Sequence, residues 1–199
     1  MNQQHTSSRF AAACGAAFAV LLFVAGGDGA YAPLREVVAM VALGLAIPFL
    51  WEVGRVLRGP SADSAGLAGA AVAAGVAGIV IKMASGAPEV ALHEAGLRSG
   101  TPAYEALSKL AEATTVISLV PLAVFCGLTA VVALGSGTLP RWLAIGSGVT
   151  AVALVGNSLV VGASFVPAVL VFLLWSLLTS IHLVRVGSPR GARAAATAQ

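Results

Sequence analysis

SAGLAGAAVAAGVAGIVIK, residues 64–82, carries no charge until its last residue, Lys82. Its side chains are mostly too small to fill a soluble core, yet the run is long enough, at about 20 residues, to cross a bilayer as a helix. At 100° per residue, Ala71, Gly75, Gly78 and Lys82 fall within an arc of about 60°. Val76, Ala77 and Val80 lie opposite. In lipid, small residues mark the face on which another helix closes. The stripe that ends in Lys82 is therefore predicted to be the packed one. The competing reading of Lys82 is a lysine that snorkels to the membrane surface.

The rest of the chain is consistent with that reading. Of its 199 residues 58% are hydrophobic and 10% charged, with a mean hydropathy of +0.95. Soluble domains sit near roughly 45–50% apolar and about 25% charged. Aromatic residues make up 6%, so the apolar content is Ala, Val, Leu and Gly. That composition suits close-packed helices better than barrel strands with aromatic girdles. The fold class is all-α: an integral membrane bundle of six transmembrane helices, over residues 9–26, 33–54, 65–84, 112–135, 141–162 and 165–186. GGDGAYAP, RGPSADSAG, GSGTLPR and GASFVP separate them with the Gly, Pro and Ser that turns require. An alternative for the first run is a secretory signal peptide, ending at the Ala-Tyr-Ala of residues 30–32; Pro33 directly after it argues against cleavage there.

With both termini in the cytoplasm, Arg9, Arg55, Arg58, Arg141, Arg185, Arg190 and Arg193 lie inside, and Arg35, Lys82, Arg98 and Lys109 outside. This is the positive-inside bias. Residues 1–8 and 187–199 lack an apolar pattern and are expected to be cytoplasmic tails flanking a transmembrane domain of residues 9–186. Residues 85–111 are too long for a simple turn and are expected to form an outer loop. Pro88-Glu89 starts a short helix over about 88–98, and Thr101-Pro102 starts another that runs into the fourth span. A lid over the bundle and an amphipathic segment on the membrane surface are equal readings of this loop.

Polar residues inside the spans mark the candidate site. On the fourth span Thr115, Ser118, Leu122, Cys126 and Thr129 share one stripe, with Glu112 at its margin. On the fifth, Gly146, Thr150, Ala153 and Asn157 share a face. Arg35, Glu36, Lys82, Glu112 and Asn157 all fall at one depth, and His93 and Glu94 of the loop fall above them. A charge in the hydrocarbon region costs about 2.5–3.5 kcal/mol unless it is paired or wetted. These seven residues are therefore predicted to form an outward polar pocket for a small amphipathic ligand. Asn157 is also explained by a structural hydrogen bond between helices. Glu52 and Arg55 form an i,i+3 pair at the other end of the second span.

Several function classes find no support. The basic residues, at a pI near 9.3, are not interleaved with aromatics, so no nucleic-acid partner is expected. Gly-rich phosphate loops and HExxH, GxSxG or CxxC motifs are absent from the sequence. His5, His93 and His182 are too dispersed to share a metal, and Cys14 and Cys126 sit in apolar runs as small hydrophobes. No cofactor is indicated. The expected partners are the lipid bilayer, a small-molecule ligand, and a second copy or a larger membrane complex. A membrane-embedded enzyme using acids and bases of the same pocket, and a helix-packing scaffold, stand as rival readings.

Three stretches in residues 108–186 carry a family resemblance: SKLAEATTVISLVPLAVF, GTLPRWLAIGSGVTAVALVG and FVPAVLVFLLWSLLTSIHLVRV. With a Leu-Pro-Arg-Trp-Leu turn at residues 139–143, Pro167 and Trp175, this half resembles a poorly characterised family of small bacterial six-helix membrane proteins. The resemblance implies that fold and no particular substrate. The Ala, Gly, Val and Arg usage is similar to that of GC-rich bacteria, which points to the cytoplasmic (inner) membrane of such an organism.

Overall fold

The structure, a computed structural model, describes residues 2–26, 32–58, 62–96, 99–159 and 166–186. Within them it is α-helical, without a strand. The helices are α1 (Asn2–Ala25), α2 (Ala32–Leu57), α3 (Ala62–Ala84), α4 (Gly86–Glu94), α5 (Pro102–Ser136), α6 (Arg141–Leu159) and α7 (Val166–Val186). Among the described residues, five stretches are long and apolar enough to cross a membrane: Leu34–Leu57, Asp63–Leu92, Pro102–Ser136, Arg141–Leu159 and Pro167–Val186. The apolar part of α1, Arg9–Ala25, is shorter.

Helix α4 departs from the sequence expectation at both ends, and α1 at its start. The helix after the third span begins at Gly86 rather than near residue 88 and ends at Glu94. Ser85 is only a one-residue turn, its amide still bonded to the carbonyl of Ile81, so α4 follows α3 almost without a break. Downstream, Thr101 caps α5 by accepting from the Tyr104 amide, with Pro102 inside the first turn. The expected helix from residue 102 therefore runs unbroken to Ser136, where Gly137 stops it at φ 65°. Helix α1 extends back into the segment expected to be an N-terminal tail. The expected C-terminal tail, residues 187–199, lies outside the described residues.

Helices α1, α2, α3, α5, α6 and α7 close into a ring in chain order, with α7 returning to α1. Neighbours alternate in direction. Lys82 meets Thr115 while Gly75 meets Phe125, so α3 and α5 are antiparallel. Gly127 faces Ala151 and Gly148 faces Ala130, so α5 and α6 are too. Helices α2, α5 and α7 thus run one way and α1, α3 and α6 the other. The ring consequently has a Lys82 end, with Arg35 and Lys109, and an Arg55 end, with Arg9, Arg58, Arg141 and Arg185.

The small-residue stripe of α3 is the seam with α5. Ala71 is fully buried, and a Cβ at Gly78 would stand 2.7 Å from Leu122 Cγ and 3.0 Å from the Ser118 carbonyl oxygen. Only glycine lets the helices approach this closely. Val80, on the opposite face, is 53% exposed. Large apolar side chains such as Val131, Val152 and Leu159 are exposed all round the bundle. A helix that is apolar on its outer face as well as its inner one belongs in lipid.

At mid-height the ring is plugged by aromatic side chains. Trp175 of α7 stacks on Phe172 at 6.1 Å and meets Phe125 of α5 and Phe49 of α2 edge-on, at 5.9 and 6.3 Å. Phe18 of α1 closes on Phe172 at 6.1 Å. The indole Nε1 donates to Ser147 Oγ of α6 at 2.8 Å, so the one polar atom of the plug is satisfied. Gly15 supplies the room for Phe49, since a Cβ there would overlap its ring. One helical turn beyond the plug, towards the Arg55 end, lies a polar layer. Thr129 follows Phe125 on α5 and Thr179 follows Trp175 on α7, both fully buried.

Candidate functional site

Between the aromatic plug and the Lys82 end the ring encloses a cavity of about 530 Å³. Known small-molecule sites span roughly 300–1,000 Å³. Its depth follows from α5, where Thr115 lines the upper end and Leu122 the lower. Seven residues of helix rise by about 10 Å. The lower walls are apolar: Phe18 of α1, Leu43 of α2, Ile79 of α3, Leu122 of α5, Leu154 of α6 and Phe172 of α7. Every helix of the ring thus contributes to the floor. Phe49, Phe125 and Trp175 lie beneath it.

The upper end is polar and reaches the surface. Lys82 Nζ donates to Thr115 Oγ1 at 2.9 Å, and Thr115 in turn approaches Ser85 Oγ at 3.4 Å. Ser85 donates to the carbonyl of Lys82 at 2.6 Å, fixing the turn between α3 and α4. These three residues form a short chain of hydrogen bonds tying α3 to α5. Opposite it on α2, Arg35 Nη2 lies 3.7 Å from Glu36 Oε1. Their side chains are 40% and 25% exposed, which marks the rim. Glu89 of α4 completes the circle. Its carboxyl approaches that of Glu36 within hydrogen-bonding reach and lies in the field of Lys82 and Arg35. Two cations and two carboxylates therefore share one cavity mouth.

Of the seven residues singled out in the sequence, Arg35, Glu36 and Lys82 line this cavity. Glu94 and Glu112 are exposed and outside its lining, and Asn157 is buried on α6 apart from it. The side chain of His93 lies outside the described residues. Glu112 misses because it is three positions before Thr115, turned off the stripe by about 60° and one turn further out. Thr115 and Ser118, read as part of a polar stripe but not as part of the site, do line the cavity, as do Ser85 and Glu89. A signal for Glu89 existed in its spacing. It stands at i+7 from Lys82, two turns along the same face if the helix continues past Ser85.

At the Arg55 end the arrangement is structural. Arg55 donates from Nε and Nη2 to the two oxygens of buried Glu52, at 2.8 and 2.6 Å. The fork pairs a carboxylate that is only 4% exposed. Arg58 covers the Trp51 ring at 5.3 Å. Cys14 and Cys126 are both buried free thiols. Among the described residues no cluster of His, Cys, Asp and Glu could hold a metal ion.

What the mouth and the cavity can do together is hold an amphiphile. Charges and hydroxyls gather at one end, and an apolar shaft runs to an aromatic stop at the other. Comparison with known proteins adds no precedent: no protein-family model, curated protein or solved structure matches the chain.

Proposed function

We propose that this chain is a multi-pass protein of a bacterial cytoplasmic membrane that binds, and delivers or transports, a small amphipathic molecule. The polar head of that molecule rests among Arg35, Glu36, Lys82 and Glu89, and its apolar part enters the shaft towards Phe172. The observation that carries the reading is the cavity itself, about 530 Å³ with all its charges at one end.

Several finer features belong to the same proposal. Six helices span the bilayer, because Arg9–Ala25 packs on α2 and α7 to close the ring, although its apolar part is short. Both termini face the cytoplasm, because Lys and Arg are more numerous towards the Arg55 end. The Lys82 end then faces outward, with α4 above it. The protein groups with the small bacterial six-helix family that residues 108–186 resemble, and acts alone, as a homo-oligomer, or as the binding subunit of a membrane complex.

Cysteine labelling tests the reading. Thr115→Cys should react with a membrane-impermeant thiol reagent applied from the outside, and amphiphiles extracted from the native membrane should slow that reaction. Val131→Cys, on the exposed apolar face, should stay unlabelled. Labelling at Thr115→Cys that no membrane extract slows would count against a binding cavity.

A further inference from the structure

The mouth of the cavity holds two ionisable groups with no close opposite charge among the described residues. Arg35 and Glu36 pair with each other at 3.7 Å. Lys82 and Glu89 do not pair: among the described residues neither has an opposite charge within 4.0 Å. Among the described residues Lys82 gives one hydrogen bond, to the neutral hydroxyl of Thr115. An ammonium has three donors, so two remain for a guest. Glu89 faces the Glu36 carboxyl within hydrogen-bonding reach, and two carboxylates so placed repel unless a proton or an ammonium group lies between them. An arriving ammonium takes that place.

A guest with a single charge leaves one of these two groups worse off. An anionic head pairs Lys82 but brings a third negative charge up to Glu36 and Glu89. A cationic head pairs Glu89 and strands Lys82 in a mouth now emptied of water. Charges removed from water without a partner are costly. A head that carries both signs a few bonds apart satisfies both groups at once, and the apolar shaft takes one chain.

We infer that the cavity selects a single apolar chain with a zwitterionic head, an ammonium group joined to a phosphate or carboxylate. The anionic group accepts from Lys82 Nζ and from the Thr115 hydroxyl, which turns to it from its 3.4 Å contact with Ser85, and the ammonium lies between Glu89 and Glu36. This inference rests on the reading of the cavity as an amphiphile site and adds its selectivity. Two sources offer such a head: a free single-chain amphiphile, or a bilayer phospholipid with one chain in the shaft.

The experiment is a competition followed by native mass spectrometry, with the full chain in phosphatidylglycerol nanodiscs. Four probes with one chain and different heads are supplied at equal concentration: dodecylphosphocholine, dodecyl phosphate, dodecyltrimethylammonium and dodecyl maltoside. The zwitterionic adduct should exceed each singly charged adduct by about tenfold, the effect of roughly one retained charge pair. Lys82→Gln should abolish the preference over the cationic probe, and Glu89→Gln the preference over the anionic one. Equal or greater binding of either singly charged probe to the unaltered protein overturns the inference and leaves the amphiphile site standing. Retention of no probe at all overturns both. The ranking on the unaltered protein does not depend on either variant folding. Repeating the competition in phosphatidylethanolamine nanodiscs separates the sources: a diminished phosphocholine adduct assigns the site to the bilayer lipid, and an unchanged one assigns it to a free amphiphile.

Discussion

Lys82 Nζ and Thr115 Oγ1 stand 2.9 Å apart, the ammonium of α3 donating to the hydroxyl of α5 at the mouth of the cavity. The bond ties the glycine seam between those helices to the polar rim of the cavity. Interhelical polar contacts in membranes average about 0.6 kcal/mol and reach about 1.7. Thr115→Val should lower stability by about that amount, measured as a shift in the thermal unfolding midpoint in detergent. An unchanged midpoint would mean that the hydroxyl does no structural work.

The seam itself is far less forgiving. A methyl at Gly78 would meet Leu122 Cγ at 2.7 Å and backbone oxygen at 3.0 Å. Overpacking of this kind costs about 1–3 kcal/mol. At Gly69 on the same helix nothing lies within 4 Å of the added methyl, and there alanine should be neutral or stabilising by up to about 1 kcal/mol. Matched unfolding curves of Gly78→Ala and Gly69→Ala test this. Equal stabilities would argue that α3 and α5 are not in close contact.

Trp175 anchors the plug through three aromatic neighbours and one hydrogen bond. Trp175→Ala should cost about 3–5 kcal/mol through the space it leaves. Because Trp175 lies under the floor formed by Phe172, the variant should also deepen the cavity and favour longer chains among bound amphiphiles. A series of alkyl probes of increasing length, compared between the two proteins, reads this out. An identical length preference would place the floor elsewhere.

Below the plug, Thr129, Ser176 and Thr179 have buried hydroxyls with no hydrogen-bond partner among the described residues. Other helical hydroxyls here return to a preceding carbonyl, as Ser147 does to Leu143 and Ser180 to Ser176. An unsatisfied buried hydroxyl costs about 1–3 kcal/mol, and replacing it by an apolar group of the same shape removes that cost. Thr129→Val and Thr179→Val should each raise the unfolding midpoint. A clear drop would show that these hydroxyls are engaged in the membrane-embedded protein.

Much of the architecture was legible because membrane helices are written in long, simple runs. The packed face of α3 could be read from Ala71, Gly75, Gly78 and Lys82 alone, since close approach leaves no choice but small residues. The stripe of Ser118, Leu122, Cys126 and Thr129 on α5 was legible for the same reason, and all four are buried. The site was legible only in part. Glu89 was hidden because Pro88 and the small residues near 85 read as the start of a loop, whereas Ser85 keeps the chain nearly helical and carries Glu89 back over Lys82. The aromatic plug was hidden for a different reason. Phe49, Phe125, Phe172 and Trp175 come from three helices, and their meeting depends on which helices are neighbours in the ring, which periodicity within one helix does not record.

The proposed function requires that the cavity above Phe172 hold an amphiphile. Ala39 of α2 lines that cavity and is partly exposed within the structure, so Ala39→Phe places a ring in the shaft without entering the α3–α5 seam. The decisive measurement is mass spectrometry of the small molecules that remain bound to the gently solubilised protein and to this variant. The expected result is a stoichiometric amphiphile on the unaltered protein that is lost or strongly reduced in Ala39→Phe. An unaltered protein that retains none, or a variant that retains the same molecule in the same amount, would contradict it.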